Sequence, residues 1–381
     1  MVGLPGRKIP VSFPLPRVKA PVTLPSYTFV DIDKAGLYPF LTHSTYVPMP
    51  MCDVDTLAGA VQQRVLTCKG KPQPKIPRYL VTTRYKNTFP PYPLDTISYE
   101  NVIEGYKERR LRRVYERAYE RIMTNDLLAR SGKRTNCKGY DLPLKIKCFT
   151  KEEKTDRKVE FLPGIYDNLE NQTADSRVIL PPDPVYRLEL SRYFGKRNEH
   201  HMIEHLNEQI GYTAIMKGLD PFAMGEIIRG HWLHVSQFGE VVFVMMDCSR
   251  FDAHFNESQS LYVYKYLASC TEDPKRAWAL LKELLKPVFK GVTKEARFSA
   301  KPKNVTLSTG VPITSLSAII MVCSVLYART KKHDWVRFID NGDDFGVFLP
   351  RDRLYLIDEI LQDFKAIGHE VEKEGQVYVL E

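Results

Sequence analysis

Between residues 98 and 124, apolar side chains return every three or four positions (Ile103, Tyr106, Leu111, Val114, Ala118 and Ile122), the spacing of one face of an α-helix. Pro93 lies upstream and leaves that helix intact. Residues 241–246 follow a different rule: the run is unbroken and apolar, as in a buried central strand. Helical spacing resumes over 258–268 and 274–285. Two β-rich runs, 335–339 and 345–349, flank Asn341-Gly342-Asp343-Asp344 and predict a hairpin. Short strands alternating with helices make the chain α+β, a mixed α/β arrangement. The longest apolar stretch, 318–328, contains Ser324 and is too short to span a bilayer. Neither a signal peptide nor a transmembrane helix is predicted.

The N-terminal pattern differs in character. Nine of the 26 prolines fall in the first 50 residues. Their fixed φ and missing donors predict an extended strap over 1–60 rather than a helical domain. From Thr56 to Leu94 there is no acidic residue, while Arg64, Lys69, Lys71, Lys75, Arg78, Arg84 and Lys86 accumulate. Such a stretch is either a solvated basic loop or a surface that tracks phosphates. The outer face of the 98–124 helix mixes Glu108 and Glu116 with Arg109, Arg110, Arg112, Arg113, Arg117 and Arg121. That mixture reads first as a solvated face, with RNA contact as the alternative.

A chain of 381 residues exceeds one small domain and calls for more than one lobe. The surplus of 55 Lys+Arg over 46 Asp+Glu, net +9, favours a polyanionic partner. Seven cysteines, odd in number and never in a C-x-x-C pair, argue against a disulfide framework or structural zinc and for a reducing compartment.

The candidate chemistry lies in carboxylates. Two-metal phosphoryl transfer needs acidic groups converging from separate strands on cations roughly 4 Å apart. Asp247 closes the 241–246 run, and Asp343 and Asp344 fall at the hairpin tip, where Gly342 permits positive φ. A lone Gly-Asp-Asp is expected by chance in roughly one chain in ten of this length, and is ordinarily turn chemistry. The order carries more weight. An acidic strand end, a Gly/Thr turn into a helix, an acidic hairpin and a basic element are hard to obtain in that sequence from packing alone.

Asp247-Cys248-Ser249-Arg250-Phe251-Asp252-Ala253-His254 resembles motif A of the tombusvirus-like RNA-dependent RNA polymerases of positive-strand RNA viruses. Thr309-Gly310-Val311-Pro312-Ile313-Thr314 resembles motif B, and Asn341-Gly342-Asp343-Asp344 motif C. Residues 147–154 and Ser176-Arg177-Val178-Ile179 are similar to motif F, and 183–193 continue the pattern. The resemblance covers roughly residues 75–381.

It implies a right-hand polymerase with palm and fingers: an antiparallel palm sheet backed by helices, and a thumb missing or incomplete because the chain stops at Glu381 where motif E would follow. The division it implies is the strap over 1–60, fingers with parts of the palm over 61–235, and palm over 236–381. The implied reaction is RNA-templated RNA synthesis by two-metal nucleotidyl transfer from ribonucleoside triphosphates, replicating a viral genome. Asp247, Asp343 and Asp344 would hold two Mg²⁺ ions, with Mn²⁺ as an alternative. Asp252 would read the ribose hydroxyls. Thr309, Gly310 and Thr314 would shape the loop and helix beneath template and nucleotide. Lys147, Lys154 and Arg177 would neutralise the triphosphate, and Lys373, with Lys365 as competitor, would protonate the leaving pyrophosphate. Two departures stand out: Ala318 occupies the place of the usual motif B asparagine, leaving Ser315 or Ser317 to substitute, and the 155–175 link is long. Implied partners are template and nascent RNA and a membrane-anchored viral replicase protein, without membrane insertion by this chain. The implied location is the host cytoplasm, within a membrane-associated replication complex. Rival readings are a reverse transcriptase, disfavoured by Asp252, and a non-catalytic RNA-binding replicase component.

Overall fold

The computed structural model describes residues 8–11, 27–31, 46–50, 54–67, 73–130, 143–150, 178–293, 297–301 and 307–377. Strands β1 (Lys8–Val11), β2 (Tyr27–Asp31) and β3 (Tyr46–Pro50) precede helices α1 (Val54–Val61), α2 (Leu80–Tyr85), α3 (Tyr99–Glu104) and α4 (Arg109–Arg130). Next come β4 (Lys145–Thr150), β5 (Val178–Ile179), α5 (Pro184–Phe194), α6 (Lys196–Ile210) and α7 (Pro221–Val235). The C-terminal half runs β6 (Val241–Cys248), α8 (Phe251–His254), α9 (Glu257–Ser269), α10 (Pro274–Glu283), β7 (Val288–Val292) and β8 (Arg297–Ala300). It continues with α11 (Thr314–Thr330), β9 (Arg337–Asp340), β10 (Asp344–Pro350), α12 (Tyr355–Ile367) and β11 (Val371–Val377).

Two larger sheets organise these elements. One is antiparallel, in the order β11-β6-β10-β9; the other is mixed, in the order β1-β8-β7-β4-β5; β2 and β3 pair as a separate hairpin. In the antiparallel sheet, Val242, Val244, Met246 and Cys248 of β6 are buried with Phe338, Phe345, Val347 and Leu349. Helices α11 and α12 pack against the sheet, and α9 packs against α11. Helix α11 is apolar nearly all round, as a helix inside a core must be. Each fully buried Val, Leu or Phe stabilises the fold by about 1.5–3 kcal/mol.

The opposite face is covered only in part. Ile228 and Trp232 of α7 pack with Phe243, Phe348 and Ile339 at one end, while Met245, nearer the other end, is 43% exposed. The unbroken apolar run of β6 therefore marks a central strand, but one with an open side. Gly346 makes the α7 end possible: a Cβ there would lie 2.3 Å from a Phe243 ring carbon. The Phe243 ring stacks on Phe348 with centroids 4.2 Å apart.

The single helix expected over 98–124 is two. Ser98 caps α3, which ends at Gly105, and α4 starts at Arg109. The Arg112 side chain reaches back to donate to the Tyr106 carbonyl (3.0 Å), so the break satisfies its own backbone. In the acid-free segment, Arg78 pairs with Glu257 (3.1 Å) and Arg84 with Asp363, which gives these two cations structural work. Among the described residues, no helix is long and apolar enough to cross a membrane.

Candidate active site

The open face of the antiparallel sheet ends in acids. Asp247 of β6 is the register partner of Asp344 on β10 and of Glu372 on β11. Register partners across antiparallel strands share a face, so these carboxylates stand side by side. The Cys248 amide donates to the Asp343 carbonyl (3.1 Å) and the Asn341 amide to the Asp344 carbonyl (2.8 Å), which locks the hairpin against the end of β6. Gly342 turns the chain at φ +99°, a conformation costly for any residue with a Cβ.

Beneath the turn sits Asp340, fully buried. Its carboxylate accepts from the Gly342 amide (3.0 Å) and from the Cys323 thiol (3.2 Å). Burial pushes the Asp340 carboxyl well above the usual carboxylate range. Asp247 is raised as well, to about 6, first by desolvation and then by the charges of Asp344, Asp343 and Glu374. Crowded carboxylates of this kind suit a divalent cation, which would relieve their repulsion. Among the described residues, however, no three ligating side chains converge into a ready-made metal cage.

Arg250, left-handed at φ +50°, turns the chain from β6 into α8 and places Asp252 in the first turn of that helix. The Phe251 ring stacks on His369 at 4.5 Å. His369 is buried with neither ring nitrogen hydrogen-bonded, and burial lowers it to about 3, so it packs as a neutral ring. On the approach to α11, Thr309 Oγ1 donates to the Val178 carbonyl (2.8 Å), Gly310 turns, and Thr314 Oγ1 donates to the Ser308 carbonyl (2.7 Å).

A cavity of about 820 Å³ joins these parts; Asp252, Thr314, Ser315, Ala318 and Asp343 all line it. Of the two serines near Ala318, Ser315 faces the cavity and accepts from Lys217, which also pairs with Glu199. Ser317 is completely buried.

Of the other candidates, Lys147 and Lys373 are among the described residues. Lys147 is exposed on β4, in register with Lys290 of β7. Lys154 and Arg177 lie outside the described residues. Lys373 is in register with buried Met246, on the sheet face opposite Asp247, and its ammonium pairs with Asp358 of α12 at 3.2 Å. Sequence reasoning passed over Asp340, Glu374 and Lys217. An Asp two residues before Gly342 is a turn-forming signal that could have singled out Asp340. No local pattern announces the other two, because their place beside the site is set by strand pairing and by the packing of distant segments.

The antiparallel sheet thus ends in a group of acids, one of which, Asp343, lines the cavity together with Asp252. The chain belongs to the viral RNA dependent RNA polymerase family, which it matches over residues 92–381. It is 27% identical over 352 residues to the RNA-directed RNA polymerase of Oat chlorotic stunt virus, covering 86% of this chain and 43% of that protein. The corresponding protein of Tobacco necrosis virus is 28% identical over 290 residues (75% and 36%), and that of Carnation mottle virus 26% over 286 (75% and 33%). The chain thus spans about a third to two-fifths of the length of these relatives.

Proposed function

We propose that this chain carries the catalytic centre of an RNA-templated RNA polymerase, with residues 236–381 as palm and residues 61–235 as fingers with parts of the palm. The observation that supports this most is the pairing of Asp247 with Asp344, locked to Asp343, at the edge of a cavity that also presents Asp252. Asp247, Asp343 and Asp344 would hold Mg²⁺ or Mn²⁺. Bound there, the ions would activate the attacking 3′-hydroxyl and neutralise the leaving oxygen. Asp252 accepts a hydrogen bond from a ribose hydroxyl, and Thr309, Gly310 and Thr314 form the floor on which template and nucleotide rest. Lys147, Lys154 and Arg177 meet the triphosphate. For Lys373 to deliver a proton to pyrophosphate, it would have to leave Asp358 and swing around the sheet edge.

Incorporation of a labelled ribonucleotide on an RNA template with Mg²⁺, compared with Asp343→Ala, tests the reading. Synthesis by the natural chain and none by the variant is expected. RNA binding by both, with synthesis by neither, would replace it with a non-catalytic RNA-binding role.

A further inference from the structure

Helix α11 offers the cavity three side chains from its first two turns, Thr314, Ser315 and Ala318. Thr314 commits its hydroxyl proton to the Ser308 and Val311 carbonyls (2.7 and 2.9 Å), and Ala318 has no polar group. Ser315 differs. Its Oγ accepts from the Lys217 ammonium, and its own proton has no acceptor among the described residues. Ser315 and Ala318 are three positions apart and so share a helix face. Ala318 lies against the Gly342 turn, since a Cβ on Gly342 would come 3.8 Å from the Ala318 Cβ. Ser315 therefore supplies the available hydroxyl on the face of α11 that runs toward Asp343.

Lys217 reaches this hydroxyl from a segment far away in sequence and firmly tied. The Met216 amide donates to the Asp340 carbonyl (2.8 Å) and the Leu219 amide to the Met216 carbonyl (3.2 Å). From there the ammonium divides its protons between Ser315 and Glu199 of α6. An ion pair alone would need only Glu199. A hydroxyl that accepts from a cation becomes a stronger donor, because hydrogen bonds in a chain polarise one another. With the ammonium on one side, the Ser315 proton must turn away from it. Asp252, an acceptor, lines the same cavity. Two hydrogen bonds fix its helix against α11: the Leu307 amide donates to the Asp252 carbonyl (3.1 Å), and the next residue, Ser308, holds Thr314.

We propose that Ser315 donates to the 2′-hydroxyl of the incoming ribonucleotide while Asp252 accepts from it, and that the Lys217–Glu199 pair aims and strengthens the Ser315 donor. The inference rests on the polymerase reading above. A donor and an acceptor facing one space suit a group that both accepts and donates. The 2′-hydroxyl is such a group, and a deoxynucleotide lacks it. A phosphate fits less well, because Glu199 already neutralises Lys217 and a second carboxylate, Asp252, faces the same space. Ribose selection in this chain then sits one helical turn before Ala318. Ser315 touches the substrate, and Lys217 and Glu199 are positioning residues.

The test compares kcat/KM for a ribonucleoside triphosphate and its 2′-deoxy counterpart on one RNA template. Beside it, isothermal titration calorimetry with Mn²⁺ measures the affinity of the full chain for the same two triphosphates. The variants are Ser315→Ala, the double variant Glu199→Gln/Lys217→Met, which leaves no charge unpaired, and Lys217→Arg. The control is Ser317→Ala, which removes a completely buried hydroxyl that has no partner. Ser315→Ala should lower the ribo-to-deoxy ratio about tenfold, the size of one lost hydrogen bond, through the ribonucleotide alone. The double variant should lower it about threefold, and Lys217→Arg should hold it within about twofold of the natural value. The control should keep the natural ratio. An unaltered ratio in Ser315→Ala overturns the proposal, as does an equal loss for both sugars, which would assign the group to the triphosphate. A double variant with the natural ratio overturns the part given to Lys217. Failure of the polymerase reading looks different: the natural chain makes no RNA, while calorimetry still decides whether Ser315→Ala abolishes a preference for the ribonucleotide. Equal binding of both sugars by the natural chain overturns the proposal.

Discussion

Strand β6 turns Val242, Val244 and Met246 to one side and Phe243, Met245 and Asp247 to the other, and the two rows meet opposite surroundings. The first row is buried with the apolar residues of β9 and β10 on the face that α11 and α12 cover, where each side chain gains by leaving water. The second runs from apolar contact with α7 to an exposed methionine and then to crowded carboxylates. Stability is concentrated on the covered face, and the open face gives some of it up to keep like charges together. Sites that do chemistry commonly show this trade.

The largest expected effect falls on the open face. Asp343→Asn should lower RNA synthesis about 10³-fold, equivalent to about 4 kcal/mol, with an unchanged circular dichroism spectrum. A variant that loses its fold along with its activity would break the contrast. On the covered face, Phe338→Ala should cost about 3–5 kcal/mol in urea unfolding, because a fully buried ring leaves a cavity. Gly346→Ala comes next. Its Cβ would collide with the Phe243 ring, and a loss of about 1–3 kcal/mol should show at the α7 end of the sheet.

The smallest effect has the opposite sign. Asp247 is raised in the fold to about 6, so its ionised form is disfavoured there relative to the unfolded chain. That cost is fully present above about pH 6 and fades as pH falls toward the unfolded value near 3.9. Without divalent cations at pH 7, Asp247→Asn should therefore stabilise the protein. Discounted for solvent screening of a partly exposed group, the gain is about 1 kcal/mol. It should vanish by about pH 4 in the same urea measurement. A destabilised variant at pH 7 would mean that the acids attract more than they repel.

Much of this was legible in the sequence where the signal is local. The 241–246 run announced β6, the apolar periodicity announced α9 and α10, and Gly342 between β-rich runs announced the hairpin of β9 and β10. The break between α3 and α4 was hidden because the apolar spacing carries on through Gly105. The motifs placed Asp247 and Asp343 in order along the chain, but the pairing of Asp247 with Asp344 and Glu372 is a matter of register, which appears only once the strands align.

The most direct test of the central claim is titration of the full chain with Mn²⁺, followed by electron paramagnetic resonance, with a non-hydrolysable ribonucleoside triphosphate present. The account predicts saturable binding that weakens as pH falls through about 6 and is lost in Asp343→Asn. The same isotherm in the natural chain and the variant would contradict it.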